Sequence, residues 1–230
     1  MDTLEQAPFG GFRRGMRLCG WVLSAALLLA AGPRSLLAQA PPMPTYTPES
    51  PEQLQQLVAP IALYPDSLVA EVLAASTYPE QVVEADRWLQ AQGGLTGEGL
   101  AQAVDQQPWD ASVKALTAFP PVLGNMDRNL SWTSSLGDAY YNQPQDVMAA
   151  VQVMRQRAQA AGNLRGTPQQ AVAEQGPDID IDPVSADVVY VPAYDPWSVY
   201  GAPILPWPGW YAYPGIWFAG PYLSFGVGIP

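Results

Sequence analysis

The segment Ala171–Tyr194, "AVAEQGPDIDIDPVSADVVYVPAY", is where the chain changes its period. Upstream of it, apolar residues recur at helical spacing. Within it, apolar and polar residues alternate one by one, as on a pleated strand. "AVAEQ" reads as a strand, Gly176-Pro177 as a turn, and "DIDID" as the returning strand that Pro183 ends. Asp178, Asp180 and Asp182 then share one face, with Ile179 and Ile181 on the other. In "DVVYVPAY", Val189 and Val191 alternate with Val188 and Tyr190, as in a strand packed on both faces. Pro192 has no N–H to give to a ladder, so the strand ends or becomes an edge there. The expected fold class is α+β. A mostly α-helical domain of several short helices precedes a small antiparallel β segment and an irregular Pro/Gly/aromatic tail.

The three aspartates also raise the question of calcium. Acidic calcium loops curl, usually on a glycine. Here the run holds no glycine, and carboxylates two residues apart on a strand lie roughly 7 Å from each other. A solvated strand face is the expectation, with no metal site.

Working upstream, residues 51–165 read as a series of short helices. Ser50, Pro51 and Gln53 form a helix start: a capping serine, proline at the first helical position and glutamine three residues on. "YPDSLVAE" from Tyr64 and "YPEQVVEA" from Tyr78 echo each other, each with proline at a helix start and an acid just after it. The first helix carries Leu68, Val69, Val72 and Leu73 on one stripe. The second carries Val82, Ala85, Trp88 and Leu89 and stops at Gly93-Gly94. "TGEGLAQAV" allows a short helix, and Pro108-Trp109-Asp110 opens another with Val113 and Leu116 inward. Leu130–Tyr141 is a further helix. Pro144 opens the longest, with Val147, Val151, Met154, Ala158 and Ala161 in register and Gly162-Asn163 as its stop. Trp88, Trp109 and Trp132 are expected core anchors.

At the N-terminus, Arg13, Arg14 and Arg17 precede an apolar run from Leu18 to Ala31 and a small-residue stretch ending Ala38-Gln39-Ala40. This is the layout of a secretory signal peptide. The run is shorter than the roughly twenty residues of a membrane span. Residues 1–40 are therefore expected to be a signal peptide cleaved near residues 38–40, and the mature chain to have no transmembrane span. Arg13-Arg14 leaves both the general secretory and the twin-arginine routes open, and Met16 is an alternative start. Residues 41–50, "PPMPTYTPES", read as a proline-rich linker, residues 51–201 as the domain, and 202–230 as a low-complexity tail.

Composition narrows the chemistry. The chain has no histidine, and its single cysteine, Cys19, lies inside the expected leader. Ser-His and Cys-His nucleophiles are thereby excluded from the mature chain, and no cofactor is expected. Net charge is −11 overall. Beyond residue 40 it is −13, from six basic and nineteen acidic residues. Lys114, Arg128, Arg155, Arg157 and Arg165 are scattered, so nucleic-acid binding, which needs concentrated positive charge, is excluded.

In Val188–Gly201, Tyr190, Tyr194, Asp195, Trp197 and Tyr200 are candidate binding residues. Three readings stand: a clasp that closes the helical core, a binding site, or a catalytic site. The clasp is the economical one, since large aromatics are more often packing than site. Asp195-Pro196 reads as a turn start, and Asp195 alone makes no acid–base pair, so no catalytic residue is nominated. The tail holds eight aromatics, from Trp207 to Phe225, without a single charge. Its prolines and glycines suggest a low-order extension. Its rings suggest an adhesive segment for sugar faces, partner grooves or self-association.

Three long phrases carry a resemblance: "LVAPIALYPDSLVAEVLAASTYPEQVVEADRWL", "PWDASVKALTAFPPVLGNMDRNLSWTSSLGDAYYNQPQDVMAAVQVMR" and "DVVYVPAYDP". From about Leu54 to Gly201 the chain resembles DUF3300, a bacterial exported domain of unknown function. The resemblance implies an envelope protein with a helical region and a small strand-rich end. It implies no catalytic residues. Family tails often run on further than "FGVGIP".

The expected function is thus a non-enzymatic binding or interaction module of the cell envelope or periplasm, whose partner is an envelope protein or a cell-wall polymer. The alternative is a glycan-acting enzyme using two carboxylates, with Glu71, Glu84, Asp110, Asp127 and Asp138 as raw material.

Overall fold

The computed structural model describes residues 46–229 except Gly94. The expected signal peptide and the first half of the linker lie outside the described residues.

Among the described residues eight helices run in chain order: α1 Pro51–Val58, α2 Asp66–Ser76, α3 Pro79–Ala91, α4 Gly97–Asp105, α5 Ala111–Leu116, α6 Pro120–Arg128, α7 Leu130–Asn142 and α8 Pro144–Ala160. Their starts follow the sequence signals. Ser50 and Gln53 make a reciprocal capping box on α1, and Asp110 caps α5 by accepting from the Ser112 N–H. Proline stands in the first turn of α1, α3, α6 and α8, where its missing N–H costs nothing. Helix α6 is the one that periodicity did not announce. Two consecutive prolines and a mid-helix glycine, Gly124, disguised it.

Helix α1 packs on α8, α2 on α5 and α7, and α3 on α6. The close crossing of α7 on the end of α2 depends on Gly137, since a Cβ there would collide with the Ser76 carbonyl. Trp132 is buried and donates its Nε1–H to the Leu57 carbonyl at 2.8 Å. Trp109 is also buried, and Trp88, half-buried, meets it edge-on with centroids 5.5 Å apart.

The β portion is an antiparallel hairpin, β1 Gln170–Gln175 with β2 Asp178–Pro183, turning through Gly176 at φ 67°. Ile179 and Ile181 face the core, while Asp178 and Asp182 face solvent. The hairpin is docked on α8 by glutamines. The Gln152 amide accepts from the Ile179 N–H at 2.9 Å and donates to its carbonyl at 3.3 Å, so a helix side chain occupies the place of a third strand. Gln156 donates to the Pro177 carbonyl at 2.9 Å and Gln159 to Glu174 at 2.7 Å.

The expected strand over 188–191 is broken up. Val188 bridges to Ser185 and Val189 to Ile229, while a short strand β3, Pro192–Ala193, pairs with β4, Ser224–Phe225, from the tail. The tail therefore departs from the low-order extension that its prolines suggested. It is irregular, but it is laid against the domain with Trp210 and Ile216 buried.

Among the described residues no helix is long and apolar enough to cross a membrane.

Candidate functional site: the tyrosine clasp and the aromatic tail

The connection between α1 and α2, Ala59–Pro65, is wholly buried. Buried loops are rare because their backbone polar groups lose water and need other partners. Here the partners come from distant parts of the chain. Tyr200 donates its hydroxyl to the Ala59 carbonyl at 2.6 Å, and Tyr194 donates to the same oxygen at 3.0 Å. The Leu63 N–H donates in turn to the Tyr194 hydroxyl at 3.4 Å. A tyrosine hydroxyl is thus inserted where a helix would join Leu63 N–H to Ala59 C=O directly. On the other side, Arg155 donates to the Ala62 and Tyr64 carbonyls at 2.9 and 3.2 Å.

Tyr64, Tyr194 and Tyr200 stack edge to face, with centroids 6.2 and 6.4 Å apart around Tyr194. Burial raises all three hydroxyls well above the ordinary tyrosine range, so they stay protonated; those of Tyr194 and Tyr200 act as donors, while the buried Tyr64 hydroxyl has no partner among the described residues. Both Tyr194 and Tyr200 are therefore inside the molecule with their polar tips turned inward.

The other sequence candidates of this stretch sit differently. Asp195 is half-buried and forms a turn, accepting from the Trp197 N–H on its side chain at 2.9 Å and from Val199 N–H on its backbone at 3.1 Å. Half-buried Trp197 meets Trp210 of the tail edge-on at 5.2 Å. Tyr190 is half-buried beside Gly228, where any side chain would strike its ring. The structure brings Tyr194 and Tyr200 together on one carbonyl. Asp195, Trp197 and Tyr190 are left along the seam between the domain and the tail.

That seam continues through the tail. Asn129, buried at the α6–α7 junction, accepts from the Tyr211 N–H at 2.7 Å and donates to its carbonyl at 3.0 Å. The Tyr213 hydroxyl lies over Gly124 of α6, which has no Cβ to obstruct it. The Tyr194 N–H donates to the Ile216 carbonyl at 3.2 Å, and the Ser198 hydroxyl to Gly220 at 3.2 Å. With its backbone held in this way, the tail presents Tyr211, Trp217, Phe218 and Tyr222 to solvent. The sequence could name these rings but not sort the buried Trp210 from the exposed Trp217.

Among the acids, Asp110 is engaged as the α5 cap, and its bonds from Ser112 hold its carboxyl below the usual range. Asp127 faces Asp86, a residue that sequence reasoning passed over. Burial, then the neighbouring Asp127 charge, pushes the Asp86 carboxyl up, against a bond from the Gln90 amide. Tyr213 is near enough to both for their charges to raise its hydroxyl further, after burial. Glu71 is also raised, by burial and then by Asp110. No group of three or more metal-ligating side chains occurs among the described residues.

Comparison with known proteins places these features in a relationship. The family model described as "Protein of unknown function (DUF3300)" matches residues 50–229, so it takes in the tail as well as the helices. "Uncharacterized protein YacH" of Escherichia coli (strain K12) is 41% identical, over 66% of this chain and 30% of its own length. The chain thus spans under a third of that relative. No solved structure matches it.

Proposed function

The chain belongs to the DUF3300 family of proteins of unknown function, and from that premise we propose that it is an exported, non-enzymatic binding module of the bacterial envelope that holds a glycan polymer on its aromatic tail. The observation that carries this reading is the held tail. Its backbone is bonded to the domain at Asn129, Tyr194 and Ser198, while Trp217, Phe218, Tyr211 and Tyr222 stay exposed. Rings fixed in place lose little entropy on binding, which is what a recognition surface requires. Their uncharged faces suit the apolar faces of sugar rings. Export is supported by the Arg13–Ala40 pattern, and residues 38–40 would be the processing site.

The glycan-acting enzyme reading has one specific support, the facing carboxyls of Asp86 and Asp127. Asp86 is buried, so a substrate could reach it only if the groups packed around it moved.

The test is co-sedimentation of the purified chain with isolated cell-wall polymer. Trp217→Ala with Phe218→Ala should abolish retention while leaving the unfolding temperature unchanged. Retention equal to wild type would overturn the proposal. Asp86→Asn should not alter retention, and cleavage of the polymer by wild type but not by this variant would establish the enzyme reading instead.

A further inference from the structure

Helix α8 has two apolar sides. Val147, Val151, Met154 and Ala158 face the core, as on any amphipathic helix. A second stripe, Asp146, Ala149, Ala150 and Val153, runs at i, i+3, i+4 and i+7. Ala149 and Val153 are exposed, Val153 by 37%. With Pro51, Leu54 and Gln55 of α1, this stripe walls a groove of about 230 Å³. A step of seven residues along a helix covers about 10 Å, which roughly three residues of extended chain match. The groove is therefore sized for a short extended segment rather than a helix.

One end of the groove is acidic. Gln143 accepts from the Tyr46 hydroxyl at 2.6 Å and from the Glu49 N–H at 2.8 Å, and donates to the Asp146 carboxylate at 3.1 Å. It thereby holds Glu49 and Asp146 at the same end, where both line the groove. Neither carboxylate is paired with a cation: Arg155–Asp66 is the one ion pair among the described residues. Burial raises the Tyr46 hydroxyl, against a backbone bond at Glu49, and the charges of Glu49, Asp138 and Asp146 raise it further. At the other end Gln55 is engaged by Arg157 at 3.0 Å. The groove thus has a direction, negative at Glu49 and Asp146 and apolar along Leu54, Ala149 and Val153.

We propose that this groove docks an extended protein segment in which a lysine or arginine adjoins aliphatic residues, the basic side chain lying between Glu49 and Asp146. The contact uses no residue of the tail and is independent of the glycan reading. Charge complementarity selects the occupant. Anionic lipid or nucleic acid would be repelled by the two carboxylates. A second copy, docking the same face, would bring its own Glu49 and Asp146 against this pair. A sugar would find no aromatic ring among the lining residues. A simple amine would neutralise the carboxylates and leave Val153 in water.

The experiment is titration of the isotopically labelled chain with the peptide acetyl-Arg-Val-Leu-Val-Ala-amide, followed by amide chemical shifts. Shifts should concentrate at Glu49–Gln55 and Asp146–Val153. The same peptide with glutamate in place of arginine should bind at least about tenfold more weakly. Ala149→Arg, an exposed change on a helix, should block binding with an otherwise unchanged spectrum. Glu49→Gln with Asp146→Asn should weaken binding about tenfold, whereas Asp178→Asn with Asp182→Asn, which removes the same charge from the hairpin, should not. Equal weakening by the two pairs would reduce the effect to net charge and overturn the proposal, as would no binding of the arginine peptide. A dimer in sedimentation that Ala149→Arg dissociates would make a second copy the occupant and overturn it too. Trp217→Ala should leave peptide binding unchanged, so the glycan reading stands or falls separately.

Discussion

Arg155 meets Asp66 at 2.5 Å, with its own side chain 1% exposed and that of Asp66 40% exposed. The same guanidinium donates to the carbonyls of Ala62, Tyr64 and Ile179, and Asp66 accepts from the Ile181 N–H. One side chain from α8 thus ties the buried α1–α2 connection, the start of α2 and the hairpin together. Removing it takes a donor from the buried Ala62 and Tyr64 carbonyls and leaves that of Ile179 with Gln152 alone. Arg155→Met should lower stability by about 3–5 kcal/mol in urea unfolding. Asp66→Asn should cost clearly less, because its half-exposed carboxylate already keeps part of its hydration.

Tyr194 and Tyr200 share one acceptor, and that makes their contributions dependent on each other. Either Tyr→Phe change alone leaves the Ala59 carbonyl with the other donor and should cost about 1 kcal/mol. The double change leaves a buried carbonyl unpaired. Its cost should exceed the sum of the singles by about 1 kcal/mol or more. A double-mutant cycle by chemical denaturation measures this, and strict additivity would mean that the two hydroxyls serve separate ends.

Asp86 should give the protein an unusual acid limb. Its native pKa is raised, so the folded state holds the proton more tightly than the unfolded one. The resulting stabilisation is fully present below the unfolded value of about 4 and is lost as pH rises through the raised native value. Most native carboxylates act in the opposite direction. Asp86→Asn should remove this limb, leaving stability flatter between weakly acidic and neutral pH. Urea midpoints across that range check it, and an unchanged slope in the variant would show that Asp86 titrates normally.

Two glycines separate domain from tail. Gly137→Ala pushes a methyl into the Ser76 backbone between two helices, which cannot give way cheaply. It should destabilise the whole domain by about 1–3 kcal/mol. Gly124→Ala meets only the tip of Tyr213. It should leave the helical core intact while making the tail beyond Trp210 more open to proteolysis. Equal global losses for both would mean that tail and core unfold as one unit.

The sequence by itself determined the helices, because capping residues, first-turn prolines and apolar spacing are local signals. It determined the hairpin for the same reason, through period-two alternation around Gly176-Pro177. It excluded histidine chemistry by composition alone, and placed the single cysteine, Cys19, in the N-terminal segment outside the described residues. It missed α6, where Pro120, Pro121 and Gly124 opposed local propensity and packing against α3 prevailed. Only the tertiary structure decided what the aromatics do. Tyr194 and Tyr200 lie 131 residues or more along the chain from the backbone groups they hold, and no periodicity encodes a bond of that span. The tail's order was equally hidden. It is held by Asn129, by the Pro192–Ala193 edge and by the space above Gly124, each a long-range fit. Proline and glycine content describes how freely a segment moves alone, and here the domain surface supplies the partners that hold it still.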